Sequence, residues 1–117
     1  MTRRRALAPF AALVTFLTLS SDAFAQIDTG VIVGRVVDDS GAVLPGVSMV
    51  ATQDGTGVSA TSVSNERGEY IFPGLRVGTY TVTAELQGFR RAVRRDIRVN
   101  VQTRAQVDLQ LSVGAFT

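Results

Sequence analysis

A chain of 117 residues carries twelve basic side chains, every one an arginine, against ten acidic ones, and it has neither histidine nor cysteine. That length holds one small domain. Without His or Cys there is no Cys/His zinc site, no Cys–His or Ser–His–Asp nucleophile and no disulfide framework. The formal net charge of +2 hints at acidic partners, but the excess lies entirely in the first segment.

Residues 1–25 have the three parts of an export leader. Arg3, Arg4 and Arg5 form a basic start, Ala6 to Leu19 an almost wholly apolar run, and Ala23-Phe24-Ala25 a small-x-small triplet before Gln26. The apolar run falls short of the about 20 residues that span a bilayer. Cleavage between Ala25 and Gln26 is therefore expected, with 26–29 a short linker and no membrane span in the mature chain. No Cys follows the run to carry a lipid anchor. Losing Arg3, Arg4, Arg5 and Asp22 leaves nine arginines and nine acids, so the mature chain is formally neutral.

From Gly30 the apolar pattern has period two. Tyr80, Val82, Ala84 and Leu86 alternate with polar residues, as do Ile97, Val99 and Val101, and Ala105, Val107, Leu109, Leu111 and Val113. Such alternation buries one face of a strand and wets the other. Turn signals separate the runs: Asp39-Ser40-Gly41, Pro45-Gly46, Asp54-Gly55, Asn65-Glu66-Arg67-Gly68, Pro73-Gly74, Val77-Gly78 and Gln87-Gly88. Strands are expected over 31–38, 47–53, 58–64, 69–73, 79–87, 91–101 and 104–113. The fold class is all-β, a seven-stranded antiparallel sandwich over 30–113 with a tail at 114–117. Ser59 to Ser64, small and polar, belongs at a sheet edge.

Val33-Gly34-Arg35-Val36-Val37-Asp38, Leu44-Pro45-Gly46-Val47, Asn65-Glu66-Arg67-Gly68-Glu69-Tyr70-Ile71-Phe72, Gly78-Thr79-Tyr80-Thr81-Val82 and Gly88-Phe89 follow in order. The set resembles the carboxypeptidase regulatory-like domain, a transthyretin-like sandwich with a carbohydrate-binding-like fold. A leader followed directly by this domain resembles the start of bacterial TonB-dependent outer-membrane receptors, where a plug and a barrel come next. Neither fits in 92 residues, since each spanning strand takes about 9–11. The resemblance implies a non-catalytic interaction module in the periplasm or at the outer membrane, either an N-terminal piece of a receptor or a secreted stand-alone copy. Its partner would be an envelope protein or receptor component, met through strand edges and loops. A glycan or cell-surface ligand is the alternative.

Arg90, Arg91, Arg94, Arg95 and Arg98 form the main charge cluster. On a regular strand Arg90, Arg94 and Arg98 share a face, offering contact to phosphate, lipopolysaccharide head groups or an acidic protein surface. Arg91 and Arg95 then fall beside Val93 and Ile97, which calls for a bulge or a strand running past the sheet. The plainer role of the cluster is a solvated, edge-protecting face. Nucleic acid is not an expected partner of a neutral, exported chain. Tyr70, Phe72, Tyr80 and Phe89 could stack on sugar, but their alternate apolar positions point to core. Asp38, Asp39, Asp54, Glu66 and Glu69 lie at turns, where carboxylates stabilise bends more often than they catalyse. They match no calcium loop, and Gly34, Gly41 and Gly46 precede no helix that could cradle phosphate. No catalytic, metal or cofactor residues are assigned.

Overall fold

The computed structural model describes residues 28–114. The leader, its Ala25–Gln26 junction and the end of the tail lie outside the described residues. Eight strands follow one another: β1 (Thr29–Asp38), β2 (Ser48–Gln53), β3 (Ser59–Val63), β4 (Glu69–Arg76), β5 (Gly78–Glu85), β6 (Ala92–Val99), β7 (Arg104–Gln106) and β8 (Leu109–Leu111). They form two sheets. One has the order β4-β1-β7, with β8 also on β1; the other has β3-β2-β5-β6.

In β5, β6 and β8 the inward residues are those the alternation singles out, except that Val101 and Val113, expected on the same faces, lie past the strand ends and are exposed. Ile32, Val36, Tyr70, Phe72, Leu75, Leu109 and Leu111 come from the first sheet. Met49, Ala51, Tyr80, Val82, Ala84, Ile97 and Val99 meet them from the second, and all are buried. Tyr70 and Phe72 meet edge to face, with ring centroids 5.8 Å apart. Ser64 is the one buried polar residue among those described. Its hydroxyl donates to the Leu44 carbonyl at 2.7 Å and accepts from the Val47 amide at 2.9 Å, fastening the β1–β2 connection to the end of β3.

The structure departs from the expected strands in two places. Pro73-Gly74 is not a turn. β4 runs through it, and the ladder to β1 slips between Gly30 and Ile32. Gly74 takes a φ of 66°, which a bulge can use and an L side chain resists. Pro73 is tolerated because β4 is an edge strand, where a missing N–H breaks no ladder.

The last expected strand is two strands, β7 and β8, and both run parallel to β1 rather than antiparallel. One register serves both, Val31 opposite Arg104 and Val36 opposite Leu109. The ladder breaks because the Arg35 amide donates to the Asp108 carboxylate at 3.0 Å, a side chain standing where a backbone carbonyl would. The Val107 amide still reaches the Val33 carbonyl at 2.8 Å, so alternation passes through the break unchanged.

Candidate functional site

Four of the five acidic residues singled out above are occupied in holding turns and strands together, and Glu66 is exposed at its turn. Asp38 Oδ1 accepts from the Ser40 amide and hydroxyl and from the Ala42 amide at 2.6–3.0 Å, closing the first turn. The Ser40 hydroxyl, helped by these amides, holds that carboxyl below the ordinary aspartate value. Asp39 accepts from Gln110 and Ser112, tying the same turn to β8. Asp54 accepts from Thr81, and Glu69 pairs with Arg35 at 3.2 Å. Among the described residues no three carboxylates converge on a metal position.

The aromatic platform does not form either. Tyr70, Phe72 and Tyr80 are buried in the core and only Phe89 is part-exposed. The Tyr70 hydroxyl donates to the Val107 carbonyl. Burial, with Asp108 adding to it and Arg94 opposing it, pushes that phenol well above the usual tyrosine range. The Tyr80 hydroxyl donates to the Arg76 carbonyl at 2.7 Å. Phe89 lines an open depression of about 400 Å³ with Glu85, Gln87 and Arg91.

The arginine cluster is present but its geometry differs from the expected one. A bulge lies where the sequence conflict called for one: Tyr80 faces Ile97 and Val82 faces Arg94, so two residues, Arg95 and Asp96, oppose Thr81. Asp96 takes a φ of 60° to make the step. The extra residue inverts the alternation. Arg94 starts on the inward side beside Val82, whereas Arg98, opposite Thr79, points outward. Arg90 is on neither face: it precedes β6, where its amide donates to the Ser112 carbonyl at 2.7 Å. Arg90, Arg94 and Arg98 therefore do not share a face. They fan around the β6 edge, and Arg91 pairs with Glu85 at 3.2 Å.

A further surface was not anticipated. The outward face of the first sheet carries Val33, Val37 and the half-exposed Ile71, bordered by Arg35, Glu69, Arg104 and Gln106. With Ser62 and Val63 of β3 as its far wall, this face forms an open depression of about 860 Å³. The signal for it was in β1: Val31-Ile32-Val33 and Val36-Val37 are apolar at both parities, so both faces of that strand are apolar.

Two facing sheets, with the last strands returning beside the first, define a transthyretin-like β-sandwich. The chain belongs to the carboxypeptidase regulatory-like domain family, which it matches over residues 31–112. Among solved structures it is similar to the Bacillus anthracis TIE protein, with a TM-score of 0.63 and 18% identity over 74% of this chain and 17% of that one. A Bacteroides uniformis protein provisionally described as carbohydrate binding gives 0.57 and 22%, over 70% of this chain and 40% of that one. Acinetobacter radioresistens catechol 1,2-dioxygenase gives 0.58 and 11%, over 75% and 53%. The chain thus spans well under two thirds of each, and the likeness is one of fold. No curated protein matches.

Proposed function

We propose that the chain is an exported, non-catalytic interaction module, placed ahead of the plug and barrel of a TonB-dependent outer-membrane receptor as its N-terminal accessory domain. The observation that carries this reading is the division of labour among side chains. The carboxylates at Asp38, Asp39, Asp54 and Glu69 hold turns and strands, and three aromatics fill the core. The surface offers instead a partly apolar open face and a guanidinium-rich edge, which are features of protein contact. Family membership supports the same reading. The test is to fractionate the cell envelope with an antibody to the domain and read the mature N-terminus by mass spectrometry. A product beginning at Gln26 and held with the outer membrane is expected. An uncleaved product in the cytoplasm overturns the proposal.

The Phe89 depression favours a second reading, a glycan-binding domain, because an aromatic edge beside Glu85, Gln87 and Arg91 can stack on and hydrogen-bond a sugar. The fold likeness to the Bacteroides uniformis protein is consistent with it. Titration with envelope oligosaccharides decides: binding that disappears in Phe89→Ala supports the glycan reading, and its absence removes it.

A further inference from the structure

Residues 90–98 hold five of the nine arginines that follow the leader, Arg90, Arg91, Arg94, Arg95 and Arg98, and a single acid, Asp96. All five are exposed, along or just ahead of β6, an edge strand that pairs with β5 alone. Among the described residues only Arg91 has an ion-pair partner, Glu85. Asp96 sits in the bulge with a φ of 60° and lies within ion-pair distance of none of its arginine neighbours. Other acids come from the strands that β6 meets across the sandwich, β1, β7 and β8. Asp108 accepts the Arg35 amide, and its charge and that of Arg94 both reach the Tyr70 phenol, so it answers Arg94 in part. Asp39 is held by Gln110 and Ser112 of the β8 end, and Asp28 precedes β1. Arg95 and Arg98 are left with Asp96 alone, two cations to one anion.

The shape of this edge selects among anionic partners. The bulge leaves Arg94 on the inward side and Arg98 on the outward side, so the guanidiniums diverge instead of converging. Neither of the two depressions described above is lined by Arg94, Arg95 or Arg98, whereas a small discrete anion is held in a concave site by converging donors. Guanidiniums and a bulge also discourage strand pairing, which disfavours an extended acidic segment. Diverging guanidiniums suit an array of phosphates in which each can move to its own partner, as the head groups of a bilayer do. Val93, 45% exposed, lies among the arginines, and Phe89 stands part-buried just ahead of them. Apolar side chains interleaved with cations let a segment enter the head-group layer.

We propose that the β6 edge rests on a bilayer surface bearing anionic phospholipid, with Arg95 and Arg98 paired to phosphates, Arg90 and Arg94 flanking them, and Val93 at head-group depth. The inference rests on the exported-module reading and deepens it: the guanidinium edge meets lipid, and protein contact is left to the apolar face.

The test uses the chain as processed by the cell, sedimented with vesicles of phosphatidylcholine alone or mixed with phosphatidylglycerol. Binding to the mixed vesicles only is expected, falling as salt is raised. Arg95→Gln and Arg98→Gln should each weaken it by about fivefold, and the double variant by about twentyfold. Arg35→Gln with Arg67→Gln removes the same charge away from β6 and should change binding by less than about twofold. All four positions are exposed, so the fold is kept. The chain has no Trp, and Val93→Trp should therefore report contact by a blue shift of emission on mixed vesicles, while Val58→Trp, in the β2–β3 turn, should show none. No sedimentation with mixed vesicles overturns the proposal, as does equal sedimentation with phosphatidylcholine alone. An equal loss in the Arg35 and Arg67 double variant, or a blue shift at Val58→Trp and not at Val93→Trp, also overturns it. Binding of a polyglutamate peptide without vesicle binding overturns it in favour of an acidic protein. If vesicle binding fails while the domain still starts at Gln26 and stays with the outer membrane, the lipid contact is refuted and the module reading stands. If the product is cytoplasmic and uncleaved, that reading falls by itself.

Discussion

Gly34→Ala probes the most crowded point of the fold. Gly34 lies on β1 opposite Tyr70, where the chain between β7 and β8 crosses. A methyl group there would overlap the Val107 carbonyl outright and lie 2.8 Å from the Tyr70 hydroxyl. Neither neighbour can step aside cheaply. Val107 is pinned by its amide bond to Val33 and by parallel pairing on either side, and the Tyr70 ring is packed edge-on against Phe72. Overpacking of this kind costs about 1–3 kcal/mol. Parting the buried Tyr70–Val107 hydrogen bond costs about 1–3 kcal/mol more. The sum, roughly 2–6 kcal/mol, is a large share of the about 5–15 kcal/mol that holds a small domain together. At about 4–8 °C per kcal/mol the melting temperature should fall by about 8 °C at the very least, or the fold should fail. Urea unfolding of the processed chain, followed by circular dichroism, measures it. Tyr70→Phe is the companion variant, expected to cost about 1–2 kcal/mol. Because both changes act at Val107, the double variant should cost less than the two singles together. A Gly34→Ala stability within about 0.5 kcal/mol of the parent would show that the β7–β8 connection does not cross β1 at this point.

The other predictions concern the core, the turns and pH. Tyr80→Ala empties a buried position in β5 and should cost about 3–5 kcal/mol by denaturant unfolding. Gly68→Val should destabilise comparably with any crowded variant, because φ is 72° and a Cβ would lie 2.6 Å from the Val36 carbonyl; a melt identical to the parent would refute that turn. Ser64→Ala strips the Leu44 carbonyl and Val47 amide of their shared partner, for about 1–3 kcal/mol. The chain has no Lys, His or Cys and two tyrosines, Tyr70 and Tyr80, both with phenols raised chiefly by burial. Their stabilisation is fully present below the unfolded tyrosine value near 10 and is lost as pH rises above it. Alkaline unfolding should therefore begin above about pH 10 and move upward in Tyr70→Phe when stability is normalised to neutral pH. An onset unchanged by that variant would count against the buried phenol.

How far the fold was legible follows from what each feature depends on. The inward positions Tyr80, Val82, Ala84, Ile97, Val99, Val107, Leu109 and Leu111 could be read directly, since period-two alternation is a local record of which side meets water; Val101 and Val113, expected on the same faces, lie past the strand ends and are exposed, and β1, apolar at both parities, gave no such reading. Ser59 to Ser64 was readable as an edge because its side chains are small and polar, although Ser64 itself is buried at the end of β3. The β6 bulge was readable as a conflict, with arginines intruding at the parity of Ile97. Its consequence was not: Arg94 and Arg98 separate onto two faces only because Arg95 and Asp96 together oppose Thr81, which is a property of the pairing with β5. Pro73-Gly74 has the composition of a turn, and what makes it a bulge is the continuation of β4 along β1. Sequence-based reading also placed Tyr70 and Tyr80 in the core without identifying the carbonyls that receive their hydroxyls.

Taken alone, the amino-acid order determined the class: an arginine-only, His- and Cys-free chain whose alternation and turn residues specify a β-sandwich of the carboxypeptidase regulatory-like kind. Those properties are written residue by residue, in side-chain polarity and backbone preference. The tertiary structure alone decided which strands are neighbours, that β7 and β8 run parallel to β1, that the arginines wrap an edge, and that β3 stands open beside an apolar depression. Each of these depends on groups far apart in sequence, such as Arg35 with Asp108 or Val33 with Val63. Alternation says which way a side chain points and carries no information about what lies across from it.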